Sequence, residues 1–487
     1  MNDLLSRKIT IGAGAEYPQS PMLPLSSQDI TKIHNASLQV LSQTGVRFAS
    51  EKALDLFKRN GFRVEGRTVF FTEKEIRTAL ETATKQFTIL ARNPAHNIEM
   101  KPGITSFGMG RGAVYMVEPD GNHRVGTSED AIQTAKLFQD MDLLEHYNPL
   151  IFPSDIGSKN VQLWMCRLMI EYTDKPYIYV GREDIELIAL AHGTTPKKMA
   201  ERTDMSYSYG RTTGLATSPL SFTEGDIENI IAYAEHGIAF HIASMPISCT
   251  SGPCTLAGLV VQQNCENLAP IVLSQLVKPG CPIFYGAIGG SADMKTLRPR
   301  FGSVEAMLLE RCGVQMARSY GLLCRGGAGL TDAPSCDFQA GAQAMLNTLS
   351  VIYDGPNFIP ACGLLGSYMG ASLAKVVLDE ELIIKARRFL SPIKTDDSSL
   401  AVDVIHDIGP GGNYIEHEHT LSHFRNELDT ESIFHSPDYD SWAAGGKKNA
   451  NHIAYEKALK LIDAYEQPPM DQGLKEEIEA YVNRHWR

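Results

Sequence analysis

Three groups of residues carry chemistry by type and position. The first is two carboxylates, Glu266 and Asp332. Glu266 stands inside Asn264-Cys265-Glu266-Asn267, in an otherwise apolar helical run, and Asp332 follows Thr331. An acid held among apolar groups is a candidate for proton transfer or electrostatic work, and a solvated helix face is the competing reading. The second group is arginine among glycines. Arg325 opens Arg325-Gly326-Gly327-Ala328-Gly329, and Gly363 follows Cys362. Glycine lets a ligand approach the backbone and leaves N–H donors available, and an arginine adds a fixed positive charge. Arg182 and Arg211 stand near similar turns, with surface ion pairs as the competing reading for all three. The third group is aromatic: Tyr177, Tyr179, Tyr207, Tyr209, Phe284, Tyr285 and Tyr368. Aromatic faces attract quaternary ammonium by about 0.5–2 kcal/mol each. Core packing accounts for most of them. Tyr285 and Tyr368, beside glycine-rich turns, are the candidates for a ligand.

Other chemistries find little support. The glycine-rich runs match neither Gly-x-x-x-x-Gly-Lys-[Ser/Thr] nor Gly-x-Gly-x-x-Gly, so the signal for a nucleotide is weak. There is no Gly-x-Ser-x-Gly elbow. In Glu416-His417-Glu418-His419, a helix would set the two histidines about 200° apart, and no metal is expected there. The nine cysteines form no Cys-x-x-Cys pair and read as free thiols of a reducing, cytoplasmic compartment. The formal net charge of -12 argues against nucleic acid and anionic membranes as partners. The N-terminus lacks the apolar core of a signal peptide, and no run approaches the roughly 18 apolar residues of a membrane span.

The elements that must position these groups alternate. Residues 30–44 and 72–84 read as helices around a short strand pair at 63–71. Thr72-x-x-Glu75 forms a capping box, and strands joined by Asp120-Gly121-Asn122 follow. From Thr127, with a second capping box to Asp130, helices alternate with short apolar runs at 149–152, 177–180, 207–210, 239–247, 283–287, 322–326, 358–365 and 402–408. Eight strand-then-helix units predict an α/β fold, a (β/α)8 TIM barrel, with an open doubly wound sheet as the alternative. The expected division is an N-terminal helix/hairpin extension (1–126), the barrel (127–430) and a C-terminal helical tail (431–487). In such a barrel, chemistry sits at the C-terminal strand ends, which here are rich in Gly252, Gly286, Gly327, Gly363, Gly409, Gly411 and Gly412.

Taken in order, several stretches resemble one family. They are Ser218-Pro219-Leu220, Gly252-Pro253-Cys254-Thr255-Leu256-Ala257-Gly258, Asn264-Cys265-Glu266-Asn267-Leu268-Ala269, Pro279-Gly280-Cys281-Pro282, Tyr285-Gly286, Thr331-Asp332, Asp337-Phe338-Gln339-Ala340-Gly341 and Gly409-Pro410-Gly411-Gly412. Over nearly the whole chain this looks like the trimethylamine:corrinoid methyltransferase family. The resemblance implies transfer of a methyl group from an amine to the cobalt of a separate corrinoid protein. Founding members hold pyrrolysine in the barrel. This sequence has only standard residues around 327–334, so it resembles the branch acting on glycine betaine and related quaternary amines.

A quaternary amine leaves as a neutral tertiary amine, so no general acid is implied, and the protein positions and stabilises. Glu266 and Asp332 then remain candidate catalytic residues, and Tyr285, Tyr368, Arg325, Gly327 and Gly363 candidate substrate-binding residues. The resemblance implies that Gly252, Gly286, Gly409, Gly411 and Gly412 face the corrinoid. No Asp-x-His-x-x-Gly corrinoid motif is present: two residues before His406 stands Val404. The corrinoid therefore has to come from a partner protein, while self-association stays open. A barrel lyase or isomerase acting on a carboxylated or phosphorylated metabolite, and a non-catalytic betaine-binding protein, are the rival readings.

Overall fold

Eight short strands run parallel and close on themselves. In chain order they are β1 (Ser106–Met109), β2 (Leu144–His146), β3 (Ile178–Val180), β4 (Tyr209–Gly210), β5 (Phe240–His241), β6 (Ile283–Gly286), β7 (Cys324–Arg325) and β8 (Phe358–Cys362). Parallel ladders join β5 to β6, β6 to β7, β7 to β8, β8 to β1, β1 to β2 and β3 to β4. Two single parallel bridges, Tyr147 to Tyr177 and Tyr209 to Ala239, close the ring. Each strand is followed by a barrel helix: α1 (Ser128–Gln139), α2 (Val161–Tyr172), α3 (Ile185–Ala191), α4 (Glu224–His236), α5 (Leu256–Val277), α6 (Val304–Ser319), α7 (Phe338–Asp354) and α8 (Leu373–Leu390). This computed structural model describes residues 23–487 except 211–215, 243, 429–431 and 435–436.

Eight units were expected, and the ring has eight, but two of the expected strands differ. The first strand is Ser106–Met109, a four-residue run masked by the glycines and the hairpin around it. The second lies at Leu144–His146 rather than 149–152. Residues Val402–Ile408, expected as the last strand, form a helix. Apolar residues at 402, 405 and 408 suit a helical face as well as a short buried strand, and a run this brief does not separate the two. Both capping boxes, Thr72 with Glu75 and Thr127 with Asp130, form as read.

The N-terminal extension does two jobs for the barrel. Its antiparallel strands Phe87–Ile89 and Ile98–Met100 close the N-terminal mouth. There Phe87, Ile89, Ile98 and Met100 pack with Ile178, Tyr209, Ala239, Phe284, Leu323 and Phe358 as one buried cluster. Tyr209 stacks on Phe358 at 4.3 Å, and His146 stacks on the same ring at 4.1 Å. The extension's helices Ser27–Gln43, Glu51–Arg59 and Glu73–Thr82 cover α5 from outside. That cover buries a 22-residue helix whose only charged residue is Glu266. The C-terminal helices Ala450–Ala464 and Gln472–His485 pack on α8 and α1, and on α3 and α2. Among the described residues, no helix is long and apolar enough to cross a membrane.

Candidate active site

A cavity of about 290 Å³ opens at the C-terminal ends of the strands. Arg111 and Gly112 follow β1, Asn148 follows β2, and Ile178 begins β3. His241 ends β5, Arg325 ends β7, and Pro360 belongs to β8. Met245, Ile288, Phe301 and Tyr368 reach in from the loops above. The floor cluster lies beneath, and it reaches the site through Tyr209, whose hydroxyl is 2.8 Å from His241 Nδ1.

Phe301 and Tyr368 meet edge to face at 4.9 Å and 85°, which makes an aromatic corner. Their loops are tied together from behind by Asp332. Its Oδ1 accepts the N–H groups of Phe301 (2.8 Å) and Gly302 (3.0 Å) and the Ser367 hydroxyl (2.6 Å). Ser367 and Tyr368 both hold left-handed backbone conformations, φ 56° and 74°. Such conformations cost free energy and persist where surroundings over-determine them, as this clasp does.

The fixed charges of the cavity are positive. Among the described residues that line it, Arg111 and Arg325 are cationic and none is Asp or Glu. Burial, reinforced by Arg325 and Arg111, keeps the His241 imidazole neutral, well below its usual range. Arg325 is 6% exposed, and its Nε meets no hydrogen-bond acceptor among the described residues. The Tyr368 hydroxyl lies within its reach. Behind it, the buried Glu310 accepts the Gly327 N–H. Burial raises the Glu310 carboxyl to about 7, against the pull of that N–H and of Arg325. A buried guanidinium facing an acid-free chamber attracts an anionic group, and the adjoining aromatic corner suits a cation. One small zwitterion satisfies both.

The structure gathers some of the residues read from sequence and disperses others. Arg325 and Tyr368 line the cavity, and Asp332 backs it. Glu266 is wholly buried and does not line it. Its carboxylate accepts from Ser218 Oγ (2.9 Å), Leu220 N (2.8 Å), Ser244 Oγ (2.6 Å) and Gln262 Nε2 (2.9 Å). It staples the loops after β4 and β5 to α5. Tyr285 is turned the other way, because alternate strand residues face opposite sides. Its hydroxyl donates to Asn264 of α5 at 3.0 Å. The Gly363 N–H is spent on Asp379 (2.8 Å), which also pairs with Lys375, and that of Gly327 on Glu310.

The expected corrinoid-facing glycines have other reasons to be glycine. A Cβ on Gly286 would lie 1.5 Å from the Ile242 carbonyl oxygen, so its lack of a side chain serves strand contact. A Cβ on Gly252 would lie 2.6 Å from Leu259 Cδ2. Gly409, Gly411 and Gly412 follow a helix outside the ring, not a strand end. Arg182 pairs with Glu228 at the surface, and Arg211 lies outside the described residues.

Arg111, Asn148, His241, Met245, Ile288 and Phe301 were missed. Arg111 carries the signal that flagged Arg325, an arginine between glycines in Met109-Gly110-Arg111-Gly112. It went unread because its strand was assigned to the extension.

A parallel eight-stranded barrel with a chamber at its C-terminal face, largely apolar but holding two arginines, is the arrangement of (β/α)8 enzymes. Sequence comparison defines the branch. The profile of the trimethylamine methyltransferase (MTTB) family matches residues 11–487, so the chain belongs to that family and is a methyltransferase. It is 30% identical over 468 residues to a glycine betaine methyltransferase of Desulfitobacterium hafniense, covering 94% of this chain and 96% of that one. It is 28% identical to a trimethylamine methyltransferase of the same species, over 94% and 92% of the two chains. It is likewise 28% identical to a proline betaine:corrinoid methyltransferase of Eubacterium limosum, over 80% and 83%.

Proposed function

We propose that this protein moves a methyl group from a carboxylated quaternary amine, glycine betaine first among candidates, to the Co(I) of a corrinoid held by a separate protein. Proline betaine and carnitine belong to the same class. One observation carries the substrate class: two arginines in a chamber with no acidic lining among the described residues, beside an aromatic corner. A cation alone would add a further positive charge beside two guanidiniums. A betaine brings the carboxylate that offsets them and a trimethylammonium for the Phe301–Tyr368 corner.

The roles of the chain's own groups follow. Arg111 and Arg325 hold the carboxylate and fix which end of the substrate faces the mouth. The aromatic corner, with the negative Asp332 behind it, stabilises the ammonium and leaves its methyl groups toward the opening. His241, kept neutral, adds no competing cation. The cobalt electron pair forms the new bond to carbon while the C–N pair returns to nitrogen, which leaves as a neutral tertiary amine. No proton is transferred, so positioning supplies the catalysis.

The test mixes purified protein, a corrinoid protein reduced to Co(I), and one amine at a time. The corrinoid spectrum then reports methylation. Betaines are expected to react, with choline and trimethylamine well behind. A preference for trimethylamine, or turnover with no corrinoid present, overturns the reading. Betaine binding without methylation overturns it as well.

A further inference from the structure

Two inward-facing side chains on neighbouring strands meet beneath the chamber. Tyr209 of β4 pairs with Ala239 in a parallel bridge, and His241 stands two residues further along the chain, on the same inward side. Tyr209 is wholly buried and lies flat on Phe358, at 4.3 Å and 6°, so its hydroxyl is held in place. That hydroxyl is 2.8 Å from His241 Nδ1, its one hydrogen-bond partner among the described residues. Burial pushes the Tyr209 phenol well above its usual range, so it keeps its proton. His241 is neutral and carries one ring proton. Two protons cannot share the gap between the hydroxyl and Nδ1. The Tyr209 O–H therefore donates to Nδ1, and the ring proton stands on Nε2. His241 lines the cavity and spends Nδ1 on the floor, so Nε2 is the nitrogen left for the chamber.

On the betaine reading proposed above, we infer that His241 offers its Nε2–H to the substrate carboxylate as a third donor beside Arg111 and Arg325, and that Tyr209 is the positioning residue that sets this tautomer. The three donors come from β5, the end of β7 and the loop after β1, and they line one cavity. A carboxylate has about four lone-pair sites, more than one guanidinium fills. A neutral N–H fills a further site without adding a third cation beside the trimethylammonium. The opposite tautomer would turn a nitrogen lone pair toward the carboxylate and repel it. Tyr209 excludes that tautomer from beneath the chamber, acting on the substrate only through His241.

Nitrogen-15 signals of the histidine rings in the full, ligand-free chain report the tautomer, with His241 identified among the 14 histidines by its loss in His241→Gln. The expected state is a proton on Nε2 and none on Nδ1. A proton on Nδ1, or on both nitrogens, overturns the inference. Calorimetry with glycine betaine reads the donor. His241→Ala should weaken binding about tenfold or more. His241→Gln, with an amide N–H where Nε2 stands, should restore most of that loss, whereas His241→Asn, whose amide stops at the Nδ1 position, should not. Tyr209→Phe should weaken binding roughly two- to tenfold in the wild type and not at all in the His241→Ala background. A loss that persists in that background, or rescue by His241→Asn rather than His241→Gln, overturns the inference as well. A wild type that binds no betaine overturns the proposed function and this use of His241 with it, while the ring signals still decide the tautomer.

Discussion

Arg325 is almost wholly buried, and a buried guanidinium needs an anion more than an exposed one does. A charge-assisted hydrogen bond contributes about 1.5–3 kcal/mol. Arg325→Gln should therefore weaken glycine betaine binding roughly 10- to 100-fold by calorimetry while leaving choline, which lacks a carboxylate, almost unchanged. Equal losses for both would remove the carboxylate from Arg325. Glu310 gives a pH signature. Its carboxyl, raised from 4.5 to about 7, holds a proton in the folded chain that the unfolded chain has lost. Stability from this group is thus lost as pH rises through that window. Glu310→Gln keeps the acceptor for Gly327 and stops the titration. Its stability relative to wild type should climb by on the order of 3 kcal/mol across the window, read from melts at both ends. A pH-independent difference would show that Glu310 titrates normally. Arg325 and Tyr368 were legible because glycine flanks them in sequence. Phe301 and His241 were not, since nothing local distinguishes a ring or imidazole that enters a chamber from one that fills a core.

Loops and strands make different demands on single residues. Asp332 does not line the cavity, yet it holds both halves of the aromatic corner. Asp332→Ala and Tyr368→Ala should each weaken betaine binding, and the double variant should lose less than the sum, because one acts through the other. Additive losses would separate Asp332 from the corner. Among the glycines, Gly286→Ala pushes a methyl into the Ile242 carbonyl and should cost at least about 3 kcal/mol in a thermal or denaturant melt. Gly409→Ala meets nothing within 4 Å and adds only the strain of a backbone conformation (φ 65°, ψ 178°) that favours glycine, about 1–3 kcal/mol. Comparable losses at the two would refute the strand-contact account. The helices were legible from caps and apolar spacing, as Thr127 with Asp130 illustrates. Strands of two to five residues were less so: β1 hides among glycines, and Val402–Ile408 imitates a strand without a sheet to join.

At the scale of the whole molecule, the alternation of units announced a closed ring. What no local pattern announces is the plug. Phe87–Ile89 and Ile98–Met100 read as strands of an appendage, and only the assembled barrel gives them a mouth to close. That plug has a kinetic consequence. Among the described residues the chamber is closed on its N-terminal side, and the proposed corrinoid would reach the methyl group from the opposite, open side. The amine therefore has to enter first, and the demethylated amine leaves only after the partner steps away. On the proposed function, then, the order of addition is compulsory, and a partner that arrives early locks the substrate out. Initial rates at low betaine should accordingly rise and then fall as the corrinoid protein is increased, with the fall relieved by more betaine. Rates that saturate without falling would mean that the amine has a second way in.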